Sequence, residues 1–210
     1  MQDMVLHVSA GTDVNEESRA AALSFWEQLQ AYALRNPEIR TSKRAIEVPS
    51  DAPPIVRELV RSARAAGVGP MFSFQGAVTD YVGRFLAGHD HEVTVSCGSD
   101  HFIVTRRRQK LTVLRRPEGG SIAVVVQPRR EGIGISTATG HGRAPIDGLA
   151  IVASSCMLAD AAAAGVQAIV PKDGGFRLAL TYLRRVPGVV GGLVVVGDRI
   201  GVAGAVEIAA

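Results

Sequence analysis

At 210 residues, 47% hydrophobic and 20% charged, the chain is long enough to bury a sizeable core and too apolar to belong with disordered sequences. Its formal net charge of +3 is modest, no apolar run is long enough to span a bilayer, and no signal-peptide pattern opens the sequence, so a cytoplasmic protein is expected. Two distant cysteines, Cys97 and Cys156, give neither a disulfide framework nor a closely spaced pair of metal ligands, in keeping with a reducing compartment.

Met4 to Ser9 alternates apolar and polar side chains, which predicts a short strand. Gly11-Thr12 turns the chain, and Asp13 with Glu16 has the spacing of a capping box for a helix whose apolar positions, from Ala22 and Phe25-Trp26 to Ala33, recur every three or four residues up to Asn36-Pro37. Its aromatic stripe reads as core. Ile46 and Val48 suggest a brief strand. Asp51 is placed to cap a second helix that starts at Pro53-Pro54 and ends at Gly67. After Gly67-Val68-Gly69-Pro70, Ala77 to Leu86 repeat the helical period, and Gly88 stops it.

The periodicity then changes to that of strands: Val93 and Val95, a turn at Cys97-Gly98-Ser99-Asp100, then Phe102–Thr105, Leu111–Leu114 and Ile122–Gln127. Arginines cluster at Arg106-Arg107-Arg108, Arg115-Arg116 and Arg129-Arg130. If these strands are consecutive and antiparallel, the first and third clusters share one end of the sheet, which either attracts an anion or is a solvated hairpin end. No aromatic residues interleave the arginines to stack bases, which disfavours nucleic acid. Leu149–Ala153 is another strand, a helix begins at Ser154 or Ser155, a further helix follows Gly174-Gly175, and the chain closes on a hairpin turning at Gly197-Asp198. The fold class expected is α+β in a single domain over 1–210, with two intertwined halves, about 1–130 and 131–210, as the alternative division.

The chemistry-bearing residues concentrate between Gly132 and Gly165. Gly132 to Gly142, which includes Thr137, Thr139, Gly140 and His141, reads as a strand end running into a loop whose small residues let a ligand approach the backbone. Asp160 falls about a turn and a half into the following helix, so its carboxylate is expected to face a pocket shared with His141, Gly98 and Asp100. The simpler reading is a glycine-rich surface loop followed by an alanine helix bearing one solvated aspartate. Gly132-Ile133-Gly134 lacks the third glycine of a dinucleotide fingerprint. His89-Asp90-His91 has two metal-ligating side chains and no evident third, and His7 reads as structural. Cys97, in a polar turn, is expected to be solvent-reachable, with Cys156 buried.

Asn36-Pro37, Ala52-Pro53, Gly67-Val68-Gly69-Pro70-Met71, Gly76-Ala77, Gly83, Gly98, Asp100, Gly140-His141 and Leu158-Ala159-Asp160-Ala161-Ala162-Ala163 follow one another as in an ApbE-like family of bacterial and archaeal proteins, and the chain resembles that family over most of its length. The resemblance implies a duplicated T-fold-like α+β architecture, related to enzymes that move FMN from FAD onto a protein threonine or serine. It implies a flavin or other nucleotide-type ligand, FAD or FMN with Mg²⁺, bound by Gly69, Pro70, Gly98, Ser99, Asp100, Thr137, Thr139 and Gly140. Asp160 matches a magnesium ligand of the family's Asp-Ala-x-x-Thr helix, and His141 has a positioning or proton-transfer role. Two departures stand out: Ala164 occupies the position of the threonine ligand, and Cys97-Gly98-Ser99-Asp100 replaces the family's Asn-Gly-Gly-Asp turn. Little or no FMN transferase activity is therefore expected. Links between relatives and sulfide assimilation make a sulfur or persulfide carrier using Cys97 the alternative. A pterin-related role and a homo-oligomer are the remaining implications of the resemblance.

Overall fold

The computed structural model describes residues 4–115, 120–139 and 145–209. Strand β1 (Leu6–Ala10) leads into the long helix α1 (Asn15–Arg35), and after Pro37 a single helical turn, α2 (Glu38–Thr41), precedes an extended stretch. Helix α3 (Pro54–Ala66) ends at Gly67, whose φ of 70° is the left-handed conformation that closes a helix. A short 3₁₀ turn (Pro70–Phe72) then feeds α4 (Phe74–Ala87).

Some local expectations fail for local reasons. The first helix starts too late for a box built on Asp13: Val14 takes the cap position without a side-chain bond, and Asp13 Oδ1 accepts from the Asn15 amide at 3.2 Å. At α3 the cap position belongs to Pro53 rather than Asp51. Ile46 and Val48 are half-buried against the helices but join no strand among the described residues.

The sheet strands are β2 (Val93–Cys97), β3 (Asp100–Thr105), β6 (Arg129–Thr139), β7 (Gly148–Ala153), β8 (Val189–Val196) and β9 (Arg199–Gly204). Between β3 and β6 lie β4 (Gln109–Arg115) and β5 (Ser121–Val126), and the chain ends at β10 (Glu207–Ala209). A seven-stranded sheet runs in the order β1-β2-β3-β6-β7-β8-β9, and a three-stranded sheet in the order β10-β5-β4, with every pairing antiparallel. The hairpin of β4 and β5 thus leaves the main sheet, and β3 pairs with β6.

Strand alternation assigns the two faces of the large sheet. Val93, Val95, Phe102 and Val104 pack under the helices on one side, with Leu149, Ile151 and Val194 further along the same face. Ile103, Ile133, Ile135, Ala150, Val152 and Leu193 face the small sheet on the other. The helical layer is completed by α5 (Cys156–Ile169) and α6 (Gly175–Arg185). Alanines make α5 the central helix: Ala159, Ala161, Ala162 and Ala163 are all buried, and their small side chains let α3, α4 and the sheet close on it from several directions.

Two glycines set how closely α5 sits. A Cβ at Gly134 in β6 would overlap the Ser155–Cys156 backbone, and one at Gly76 in α4 would lie 2.8 Å from the Cys156 carbonyl oxygen. Gly134→Ala is expected to lower unfolding free energy by about 1–3 kcal/mol, the usual cost of overpacking, measured as a lower urea midpoint at unchanged slope.

Candidate functional site

At one end of the large sheet, Leu6, Cys97, Asp100 and Ser136 stand in cross-strand register on β1, β2, β3 and β6. The β2–β3 hairpin turns there through Gly98, at φ 56°, and Ser99. Asp100 shares the helix-facing side of β3 with Phe102 and Val104 and is only 1% exposed. Above it, the second turn of α5 brings Asp160 down onto the sheet, close enough that each carboxyl group affects the other's titration.

In its ionised form neither oxygen of Asp100 has a hydrogen-bond donor in good geometry among the described residues. Burial raises the Asp100 pKa, opposed by the Ser136 hydroxyl and by a proton donated from Asp160. Burial and the adjacent Asp100 charge raise Asp160 well above the ordinary carboxylate range, with the Gly76 backbone opposing them. Two buried acids with too few donors either share a proton or neutralise their charge with a cation. Hard oxygen donors of this kind suit Mg²⁺.

A third buried acid holds the arrangement in place. Asp80, on α4 and 1% exposed, accepts from the Cys156 amide at 2.9 Å and, more weakly, from the Met157 amide at 3.5 Å. It therefore caps α5 from a neighbouring helix, while Ser155 Oγ accepts from the Leu158 amide at 3.2 Å. Burial lifts the Asp80 pKa to about 6, with the Cys156 amide and then the Arg84 charge opposing.

Asp160 is not sealed off. It lines a cavity of about 370 Å³ together with Met4, Trp26, Arg40, Met71, Phe72, Phe74 and Gln75. The cavity lining thus combines an acid, aromatic surfaces and a guanidinium.

The sequence-predicted residues divide around this site. Asp100 and Asp160 come together as expected, with Gly98 nearby: a Cβ there would lie 3.7 Å from Gln75 Oε1, on the cavity wall. Gly140 and His141 lie outside the described residues. Cys97 requires a correction. It is a strand residue, 1% exposed, and burial with the nearby Asp100 and Asp160 charges pushes its thiol up to about 11. The turn is only Gly98-Ser99, so Cys97 points under the helices instead of into solvent. Cys156 is fully buried as expected, and its Sγ donates to the His101 carbonyl at 3.0 Å.

Thr137 and Thr139 belong to β6 itself, not to a loop. Alternation puts them on the face opposite Ser136, away from Asp160, and Thr137 bonds the Ser99 carbonyl through its amide at 2.9 Å. Gly69 and Pro70 are buried behind the wall, where the missing Cβ of Gly69 admits the Ser42–Lys43 backbone. Asp90 clasps Thr12 and the Glu92 amide, and no group of three metal-ligating side chains occurs among the described residues. His7 lies exposed on the edge strand, contrary to its reading as a packed histidine. The first and third arginine clusters do share a sheet end, with Thr105 opposite Arg129, and Glu92 and Glu207 supply acidic partners there.

Arg40, Trp26 and Asp80 were not singled out by sequence reasoning. Trp26 hid in a helical stripe that is indeed core at Phe25, which stacks edge-on against Tyr81 at 5.1 Å. Asp80 carried a usable signal: an acid embedded among Ala77, Val78, Tyr81 and Val82, where a core helix rarely tolerates one.

The sequence profile of a protein family described as AbpE bacteria matches residues 1–174. The chain belongs to this family. Its relatives include the UPF0280 protein of Methanosarcina acetivorans, 26% identical over 210 residues that cover 95% of this chain and 79% of that protein. Another is the UPF0280 protein of Methanocella arvoryzae, 24% identical over 180 residues, covering 82% and 73%. Among solved structures, the apo flavinyl transferase ApbE of Pseudomonas stutzeri superposes with a TM-score of 0.55 at 12% identity, covering 97% of this chain and 94% of that one. A mutant of flavin transferase ApbE from Vibrio cholerae gives 0.56 at 10% identity, covering 96% and 97%. At such identities the likeness establishes an ApbE-like α+β fold. Among the described residues of this family member, no helix is long and apolar enough to cross a membrane.

The raised acids give a signed pH dependence. A carboxyl whose folded-state pKa lies above its unfolded value destabilises the folded state increasingly as pH rises between the two, from 3.8 to about 6 for Asp80 and further up for the Asp100–Asp160 pair. In metal-free buffer, Asp160→Asn is therefore expected to be more stable than wild type at pH 8, by about 1–3 kcal/mol. The gain should vanish toward pH 4, as urea unfolding at each pH would show.

Proposed function

We propose that this protein binds a flavin nucleotide, FAD or FMN, in the cavity beside Asp160, together with Mg²⁺ at the Asp100–Asp160 pair, and that it is a poor FMN transferase. The observation that carries the reading is the coincidence of aromatic surfaces and Asp160 in one cavity of about 370 Å³, with Asp100, buried and without donors, as the neighbour of Asp160. That volume lies in the range of small-molecule sites, and Trp26, Phe72 and Phe74 offer faces suited to a planar ring. The relationship to flavin transferases by fold supports the same ligand class.

The donor set fits the ion, since Asp100 oxygens without partners and the Asp160 carboxyl present hard ligands where desolvation otherwise opposes charge. Mg²⁺ there would neutralise phosphate charge as a Lewis acid. The chain's own groups would stack the ring and exclude water from one side of the ligand. Ala164, half-buried one turn beyond Asp160 on α5, offers no oxygen. Water in its place holds an ion less firmly, and misplacement of about 1 Å costs on the order of a hundredfold in rate. A carrier role for Cys97 loses support, because a buried thiol with a raised pKa supplies little thiolate.

FAD fluorescence titrations with and without Mg²⁺ test the reading. Wild type should bind FAD more tightly with Mg²⁺, Ala164→Thr more tightly still, and wild type should leave an acceptor peptide essentially unflavinylated. Efficient flavinylation by wild type, or FAD binding indifferent to Mg²⁺, would contradict it.

A further inference from the structure

We infer that Arg40 is the anion-recognising residue of the cavity, so that the site selects a phosphorylated ligand over its unphosphorylated counterpart. The inference deepens the flavin-nucleotide reading and rests on it for the ring, but the anion subsite has its own structural basis.

Arg40 sits on the single turn α2 and lines the cavity that Asp160 also lines. Its Nη1 donates to Gln30 Oε1 at 2.9 Å, and its guanidinium carbon lies 5.6 Å from the centroid of the Phe74 ring. Both partners are neutral. Arg40 is solvent-exposed, and among the described residues no carboxylate forms an ion pair with it. The side chain is thus oriented without being neutralised.

The backbone brings this charge to the cavity by design of the turn at Gly69, where the absent side chain lets residues 42 and 43 pack against the segment leading to Met71 and Phe72. The first turn of α4 contributes Phe74 and Gln75 to the same cavity, and its Gly76 backbone faces Asp160, so that helix end serves the acid and Arg40 is the cavity's cationic side chain. A planar guanidinium held in this way matches the bidentate geometry of a phosphate group. Asp160, on the lining of the same cavity, repels an anion unless a cation intervenes. The ligand class that satisfies both groups is an aromatic compound carrying a phosphate or pyrophosphate, bound with a divalent cation.

The test uses the intact protein, Arg40→Gln and Arg40→Lys, each checked for native circular dichroism. Inorganic pyrophosphate with Mg²⁺ is titrated calorimetrically and by fluorescence of Trp26, the only tryptophan in the chain. In parallel, FMN and riboflavin are titrated by flavin fluorescence. Wild type should bind pyrophosphate saturably, Arg40→Gln about tenfold more weakly or worse, as for loss of a charged hydrogen bond, and Arg40→Lys in between. Wild type should also prefer FMN to riboflavin, and Arg40→Gln should lose that preference through weaker FMN binding alone. Pyrophosphate binding unchanged in Arg40→Gln, equal affinity of wild type for FMN and riboflavin, or no pyrophosphate binding at all would overturn the role of Arg40. Flavin binding without a phosphate preference would leave the flavin reading standing. Arg40-dependent pyrophosphate binding with no flavin bound would support Arg40 and remove the flavin reading.

Discussion

The crossing of α4 and α5 over β3 and β6 is the constraint from which the site follows. Asp80 reaches from α4 to the first amides of α5 as a buried charged acceptor, and Gly76 and Gly134 remove the side chains that would hold the helix away. Once α5 is seated at that depth, Asp160 is brought down to the sheet end, half-buried at the edge of the cavity. It meets Asp100, whose own position follows from the strand register that sets it opposite Cys97 on one side and Ser136 on the other. The proximity of two carboxyls is therefore a product of backbone packing, and the surrounding structure must tolerate their mutual repulsion.

That tolerance is costly for a structure with no ligand. Each of the three acids is shifted toward its neutral form by desolvation; amides favour the charge of Asp80, through Cys156 and Met157, and of Asp160, through Gly76, while Asp100 has no such backbone donor among the described residues. A fold under no functional demand would be more stable with amides or apolar side chains at Asp100 and Asp160. Strain of this electrostatic kind, placed at a cavity wall with aromatic surfaces nearby, is the pattern of a site that waits for a counter-charge. The guanidinium that Arg40 brings to the same cavity has the opposite sign, so the two groups ask for complementary parts of one ligand.

Much of this was legible in the sequence. The helical periods around Phe25, Leu59 and Val82, the closing glycine at Gly67 and the hairpin at Gly197-Asp198 are local signals, and the structure keeps them. The meeting of Asp100 with Asp160 was also anticipated. What escaped depended on distance in sequence. Whether β3 pairs with β4 or β6 is not encoded in either strand, and the one-residue step from Cys97, the last position of β2, to the turn at Gly98 decides whether a thiol faces solvent or core. Thr137 and Thr139 looked like loop residues because glycines surround them, yet Gly134 is there to admit α5. The contribution of Arg40 depends on Gly69 and on the fold of residues 38–43, none of which shows a periodic pattern.

The central claim is that the Asp100–Asp160 pair is a cation site. Its most direct test is thermal unfolding of wild type and Asp160→Asn at pH 7.5 as Mg²⁺ is added without any nucleotide. An ion that binds only the folded state must raise the midpoint in a saturable way. The account predicts that rise for wild type and none beyond the nonspecific salt effect for Asp160→Asn. Equal responses of the two proteins, or no response in wild type, would contradict it.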